Sequence, residues 1–384
     1  MADHFTETTT RSWSSRIGGS LKGILVGFIL VLAAFPLLWW NEGRAIDRTQ
    51  TLETGRKTVV AVESDRLDPA REGQLIHIAG LATTEEVLSD PLFDLSLSAI
   101  KLRRQVEMYQ WVEESRSTTT KNVGGSETTE TTYDYRRNWS ERWIDSSRFK
   151  HPADHANPPS MPYASETKQA SRVKVGAFNL APVFVTQINP FQALPITQKG
   201  RVPEGFELHG GGYYQGSPTA PRVGDLRVSF SVVEPSQVSL IGRQAGRGIE
   251  TARLPKGQIA LLELGRVDAT TMFDHADTAN RFLTWAIRAG GLLLLWIGFG
   301  MILAPLKVLA DVVPFIGRLV GAGTGLIAAL LAVALGALTI AIAWVLHRPL
   351  LAGLLLALAV VALAIGAFRM RSAPRTPRAP GVAG

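Results

Sequence analysis

Residues Gly23–Trp40 read GILVGFILVLAAFPLLWW, a run without Asp, Glu, Lys or Arg. At about 1.5 Å rise per residue, about 18 residues cover roughly the 30 Å hydrocarbon core of a bilayer. Three more uncharged runs, Ala289–Leu306, Leu319–Leu346 and Pro349–Phe368, lie towards the other end of the chain. Together they predict four transmembrane helices, at 23–40, 287–306, 319–346 and 349–368. The mostly polar stretch 41–286 hangs between the first and the second. The expected fold class is an α+β integral membrane protein with a large β-rich extracytoplasmic domain tied to the bilayer at both ends.

Charge sets the expected orientation. Arg11, Arg16 and Lys22 precede the first span, Lys307 and Arg318 flank the loop 307–318, and Arg369, Arg371, Arg375 and Arg378 follow the last span. Short loops rich in Lys and Arg stay cytoplasmic. This places 1–22, the interfacial loop 307–318 and the tail 369–384 in the cytoplasm, and the domain across the membrane. For a bacterial chain this means the inner membrane, with the domain periplasmic or extracellular; for a eukaryotic one the domain would face a lumen. The net charge of +7 is largely this inside bias. No basic run is threaded with aromatics, so nucleic acid is not an expected partner. Small residues at Gly43 and Ala45 allow a cleavage reading of the first span. The long segment before it, and Trp39 and Trp40 at the interfacial position, favour a permanent helix. There is no cysteine, which removes disulfides, thiol catalysis and thiolate metal sites.

Most of the domain reads as strand. Ile100–Glu114 alternates, with Val106, Met108, Gln110 and Val112 on one face and Glu107, Tyr109, Trp111 and Glu113 on the other. Thr131–Trp143 alternates too. Between them Ser115–Glu130 is polar, and Asn122–Gly125 supplies a turn, so a long hairpin with a mobile tip is expected. Further strands are expected at 56–63, 73–80, 172–178, 225–233, 237–243 and 258–264. Lys150–Tyr163 and Gly205–Pro221 read as loops. Asp268–Ala286 reads as a helix capped by Asp268 or Thr270 and running into the second span. The tail 369–384, rich in Pro, Arg, Ala and Gly, reads as disordered.

Catalytic patterns are absent: no nucleophile elbow, no zinc-protease helix, no phosphate loop and no dinucleotide fingerprint. His151, Asp154 and His155 lie close enough in sequence to suggest zinc, but Pro152 breaks a helical pair and no further ligands lie nearby in sequence. A capped surface loop is the better reading, and neither metal nor cofactor is expected. Arg103 and Arg104 beside Glu107, and Asp225 with Arg227, read as cross-strand charge pairs. The third span holds Gly321, Gly323, Gly325 and Gly336, spaced for close helix contact within the chain or between copies.

The chain resembles the transmembrane protein 43 family, also called LUMA, and reads as a bacterial member. The motifs that carry the resemblance are Asn41-Glu42-Gly43-Arg44-Ala45, Leu88-Ser89-Asp90-Pro91, the run from Lys101 to Glu113 with Arg103, Arg104, Glu107, Tyr109 and Trp111, and His155-x-Asn157-Pro158. Val223–Ser231 with Asp225 and Arg227, Arg243-Gln244, Thr284-Trp285, Asp311-x-x-Pro314 and Arg348-Pro-Leu350 complete the set. The resemblance implies a membrane protein without assigned catalysis. Eukaryotic relatives look like inner-nuclear-membrane and endoplasmic-reticulum proteins that organise complexes, associate with emerin and lamins, and self-associate. A bacterium has no lamina, so self-association and scaffolding at a membrane are what carry over, with membrane lipids as partners. The alternative left open is a membrane-anchored enzyme or ligand sensor with a pocket in the β-rich domain.

Overall fold

The computed structural model describes residues 3–197 and 201–347. Arg348, the fourth expected span at 349–368 and the tail 369–384 lie outside the described residues. The described residues form two compact units, one within 3–21, 47–197, 201–282 and 305–321, the other within 22–46, 283–304 and 322–347.

The first unit is built on two sheets. The N-terminal strand β1 (Asp3–Arg11), the hairpin strands β2 (Lys101–Lys121) and β3 (Glu127–Ser140), the short pair β4 (Phe206–His209) and β5 (Gly212–Gln215), and β6 (Leu226–Val233) run in the order β1-β3-β2-β6-β5-β4. Every one of these pairings is antiparallel. Leu102, Arg104, Val106, Met108 and Gln110 are buried, and the intervening residues are half-buried. The two-residue period places the even positions on the core, as the sequence alternation predicts. The second sheet holds Leu75–Thr83 and Ser236–Ala245 side by side. Ile76, Ile78, Val106, Met108, Phe178, Phe184, Val228, Phe230 and Leu240 belong to one core cluster drawn from both sheets.

Three sequence expectations change, and the segment 1–22, for which no element was expected, gains one: β1 pairs along its whole length with β3, Phe5 facing Tyr133 and Thr8 facing Glu130. Thr-rich strands suit a pleated edge, and this one finds a partner far along the chain. The hairpin tip is ordered up to its turn, since β2 continues to Lys121 and β3 begins at Glu127. Within Gly205–Pro221, residues 206–215 form the hairpin β4–β5, turned at Gly210 and Gly211, both at positive φ, while 216–221 are loop as expected. The strand expected at 56–63 shrinks to Val60–Ala61, because the helix α1 (Trp13–Thr58) runs on through the sequence motif at 41–45. Leu52 of α1 packs with Ile259, Met272 and Phe273, and that contact outweighs the local strand propensity.

The other long helices are α2 (Ala269–Ala310), capped by Asp268, whose Oδ1 accepts the Thr271 N–H at 3.0 Å, and α3 (Pro314–His347). α1, α2 and α3 are each long and apolar enough to cross a membrane. In the second unit Val31, Ala34 and Leu38 pack with Leu295 and Ala332. Leu25, Phe28, Ile29, Leu32, Leu326 and Leu330 remain exposed, as lipid-facing side chains do.

Of the α3 glycines Gly321, Gly323, Gly325 and Gly336, Gly336 packs tightly on Leu292 and Gly321 lies against the Lys307 stem, where a Cβ would meet carbon at 3.0 Å. The close backbone-to-backbone glycine contact lies between α1 and α2. A Cβ on Gly27 would meet the Gly298 carbonyl oxygen at 2.6 Å, whereas one on Gly323 or Gly325 would meet nothing within 4 Å. Backbones approach here because lipid offers helices no hydrophobic gain and packing must supply it. Gly27→Leu is therefore expected to destabilise the detergent-solubilised protein by about 1–3 kcal/mol, the usual cost of overpacking. Gly323→Leu should leave the melting temperature unchanged. Equal effects of the two substitutions in a thermal melt would refute this placement.

Candidate functional site

The register of β2 against β6 places Glu107 opposite Arg227. Arg227 donates from Nε and Nη2 to the two Glu107 oxygens at 2.6 and 3.0 Å. Arg103 and Arg104, expected near Glu107, go elsewhere because they sit at other positions of the pleat. Arg103 lies over the Phe191 ring at 3.9 Å. Arg104 turns inward and donates to Asp90 at 2.5 Å, with both side chains buried, and also to the Ala164 carbonyl and to Glu166. Asp225 forms no ion pair with an arginine side chain among the described residues. Its Oδ2 accepts the backbone N–H groups of Ser217 and Arg222 and shapes the loop before β6.

Above the Glu107–Arg227 pair the sheet carries an aromatic row. The Arg227 guanidinium lies 4.7 Å from the Trp139 ring centre, and Trp139 stands 5.2 Å from Tyr109 and 5.5 Å from Tyr214. Glu107, Arg227, Trp139 and Tyr214, with Pro195, His209, the glycine turn and Pro218, line an open cavity of about 490 Å³. This volume is within the range of small-molecule sites, and the arrangement can hold a flat or extended ligand by stacking and hydrogen bonding. Glu107 and Arg227 neutralise one another there.

His155 and Asn157 are structural in their contacts. His155 stacks on Tyr135 at 3.8 Å and meets Trp111 edge-on at 4.7 Å, while its Nδ1 bonds the His151 carbonyl oxygen. Asn157 ties to the backbone of β2 by accepting the Trp111 N–H at 2.7 Å and donating to the Trp111 carbonyl at 3.0 Å. Tyr135 donates to Glu113, and burial, followed by that carboxylate, pushes its hydroxyl up to about 12. His151, Asp154 and His155 do not converge, and among the described residues no group of three His, Asp or Glu could hold a metal ion.

Asp311, at the junction of α2 and α3, is fully buried. Lys121 donates to both its oxygens at 2.8 and 2.7 Å, and Arg16 donates to Oδ2 at 2.5 Å. Burial raises the Asp311 carboxyl, but the Lys121 ammonium and the Arg16 guanidinium more than reverse that and hold it below the usual range. Arg16 also donates to the Gly125 carbonyl and pairs with Glu127. Trp13 donates to the Val308 carbonyl, and the Gly124 N–H bonds the Val312 carbonyl. Thus the N-terminal segment, the hairpin tip and the loop 307–318 are bonded together. The charge rule, applied loop by loop, set the tip on the opposite side of the membrane from the other two. In the structure Arg16 and Lys121 are direct partners of the same Asp311 carboxylate. Pro314 occupies the first position of α3, where its missing N–H costs nothing.

In the second unit Arg288 grips Glu42 in two bonds of 2.7 Å, and its guanidinium lies 4.7 Å from the Trp285 ring centre. Asn41 donates to the Thr284 carbonyl, and Arg44 to the Thr284 hydroxyl at 2.9 Å. Sequence reading missed Arg288, Asp90, Arg16 and Lys121 as partners. Of these only Asp90 stood inside a quoted motif, and nothing in local spacing links any of them to residues far along the chain.

Three apolar helices joined to a two-sheet β-rich unit define an α+β membrane protein. The chain belongs to the transmembrane protein 43 family: the family model for transmembrane protein 43 matches residues 108–349. Mouse transmembrane protein 43 is 34% identical over 92% of both chains. The human protein is 32% identical over 96% of this chain and 98% of its own length. The Drosophila melanogaster homolog is 32% identical over 86% and 90%. No solved structure matches.

The two kinds of ion pair differ in consequence. Asp90→Asn removes the buried charge partner of Arg104, leaving only the more exposed Glu166 at 3.4 Å, and should cost about 3 kcal/mol or more. Glu107→Gln at the exposed pair should cost about 1 kcal/mol or less. Chemical denaturation of the two variants checks the ranking, and a larger loss at Glu107 would contradict it. Asp311, whose carboxyl is depressed in the folded protein, contributes stability above the ordinary carboxylate range, lost as pH falls through its folded value. Asp311→Asn should therefore flatten the stability change seen between neutral and strongly acid pH.

Proposed function

We propose that this chain is a non-catalytic, multi-pass membrane scaffold that organises membrane protein complexes and self-associates. The observation that carries the reading is the fate of the motif charges. Glu42, Arg44, Arg104, Glu107, Asp225, Arg227 and Asp311 each bond a neighbour inside the chain, so they hold the fold and leave the exposed hairpin to meet partners. From Ser115 to Thr120 every residue of β2 is exposed, and its hydroxyls pair across the hairpin, Ser117 with Thr131 at 2.9 Å and Thr119 with Thr129 at 3.1 Å. Affinity purification of the full chain in detergent should recover membrane proteins that are lost when the hairpin is shortened by matched deletions in β2 and β3. Unchanged recovery from a folded, shortened chain would sink the scaffold reading.

A second reading rests on the aromatic cavity beside Glu107 and Arg227: a ligand sensor in the β-rich unit. Native mass spectrometry that finds a small molecule on the protein, absent from Trp139→Ala, would favour it.

The proposal also places the hairpin tip with the N terminus and the loop 307–318 on the cytoplasmic side of the membrane, the bacterial inner membrane in the sequence reading. Lys and Arg near spans belong on that side. The cysteine-free chain permits a direct test. Val123→Cys, at a position 88% exposed, and Ser14→Cys should react with an impermeant maleimide from the same side of sealed vesicles. Labelling from opposite sides would contradict the placement.

A further inference from the structure

Strand β1 ends the larger sheet: its inner edge pairs with β3, and no strand covers its outer edge among the described residues. We propose that this edge is an interface between two copies of the chain, with β1 of one pairing antiparallel to β1 of the other about Thr9. The inference rests on the self-association read above and locates it.

An open edge of this length exposes a row of backbone donors and acceptors that invites another strand. The side chains select the partner. Proteins commonly blunt an edge with charges that repel a second strand. In β1 the charges instead fit a copy of themselves. Pairing about Thr9 sets Glu7 opposite Arg11 of the second copy, and Arg11 opposite Glu7, with Thr8, Thr9 and Thr10 between them. Pairing about Glu7 would set like charges face to face, and parallel pairing in register would match each charge with its own sign. Opposite charges directly across a ladder stabilise it and like charges do the reverse. Glu7, Thr9 and Arg11 share one face by the two-residue period. Glu7 already bonds Lys150 at 2.7 Å, and a carboxylate has acceptor sites for a second cation. Arg11 has no ion-pair partner among the described residues, although it stands opposite Glu127, which pairs with Arg16. The threonines repeat a chemistry used on the inner edge, where Thr6 meets the Thr132 hydroxyl at 3.5 Å and the Thr9 hydroxyl reaches the Thr129 carbonyl. Five residues on each side make a small contact. Confinement of both copies to one membrane raises their effective concentration, so a small contact suffices.

The absence of native cysteine makes the test clean. Directly opposed residues have Cβ atoms about 4.5–5.5 Å apart, close to disulfide reach. Thr9→Cys in native membranes should form a disulfide dimer under mild oxidation, and Val123→Cys, also exposed but at the tip, should not. Should Thr9→Cys fold poorly, mixed membranes carrying Thr8→Cys and Thr10→Cys copies should crosslink only when both are present. Glu7→Arg alone and Arg11→Glu alone should each lower Thr9→Cys dimer yield by about threefold or more, and the two together should restore it. No dimer at Thr9 or between positions 8 and 10, equal yield at Val123, or failure of the double swap to restore it would overturn the interface. Oligomers seen by native mass spectrometry without these crosslinks would refute the β1 edge while leaving the scaffold reading intact. A monomer in both assays would refute both.

Discussion

Strand β2 pairs on both sides, with β3 along its outer half and with β6 along its inner half, and the rest of the β-rich unit hangs on that register. A strand alternates its faces every residue, so a slip of one place would turn Val106 and Met108 to the outside and bring Glu107 into the core. The same slip would take Arg104 away from Asp90 and Glu107 away from Arg227. Hydrophobic burial and ion pairing therefore specify one register together. Asn157 fixes it again by bonding both backbone groups of Trp111.

The charged motif residues divide by their surroundings. Arg104 with Asp90, and Asp311 with Arg16, are out of water, with Lys121 reaching Asp311 from a partly exposed position; there an unmatched charge is costly and a matched one specifies a unique contact. Glu107 with Arg227 is partly solvated, and its worth lies more in orienting the arginine over Trp139 than in Coulomb energy. The two settings explain why residues of the same type, from motifs of similar length, have different consequences for stability.

The Asp311 cluster also changes how the basic residues are read. Arg16 belongs to a sequence cluster that looks like an orientation signal, but in the fold its guanidinium is a ligand of a buried carboxylate. Lys121, in a stretch that reads as a mobile tip, is another. Their positions in space follow from that carboxylate, and the N-terminal strand is drawn along with them into the sheet.

The amino-acid sequence by itself determined the apolar helices, the alternation of β2, the hairpin turn near Asn122 and the Asp268 cap, since each depends on residues near one another in the chain. The family was legible from the long motifs at 101–113 and 223–231, and the comparisons establish it. Tertiary structure alone decided which charge meets which. Arg104 finds Asp90, Glu42 finds Arg288 and Asp311 finds Arg16 and Lys121 across separations that no local period encodes. It also decided that 1–22 contributes a strand and that the glycine contact falls at Gly27 and Gly298. Those choices belong to packing: a buried charge needs a partner, an open strand needs a neighbour, and two helix backbones approach wherever both lack a side chain.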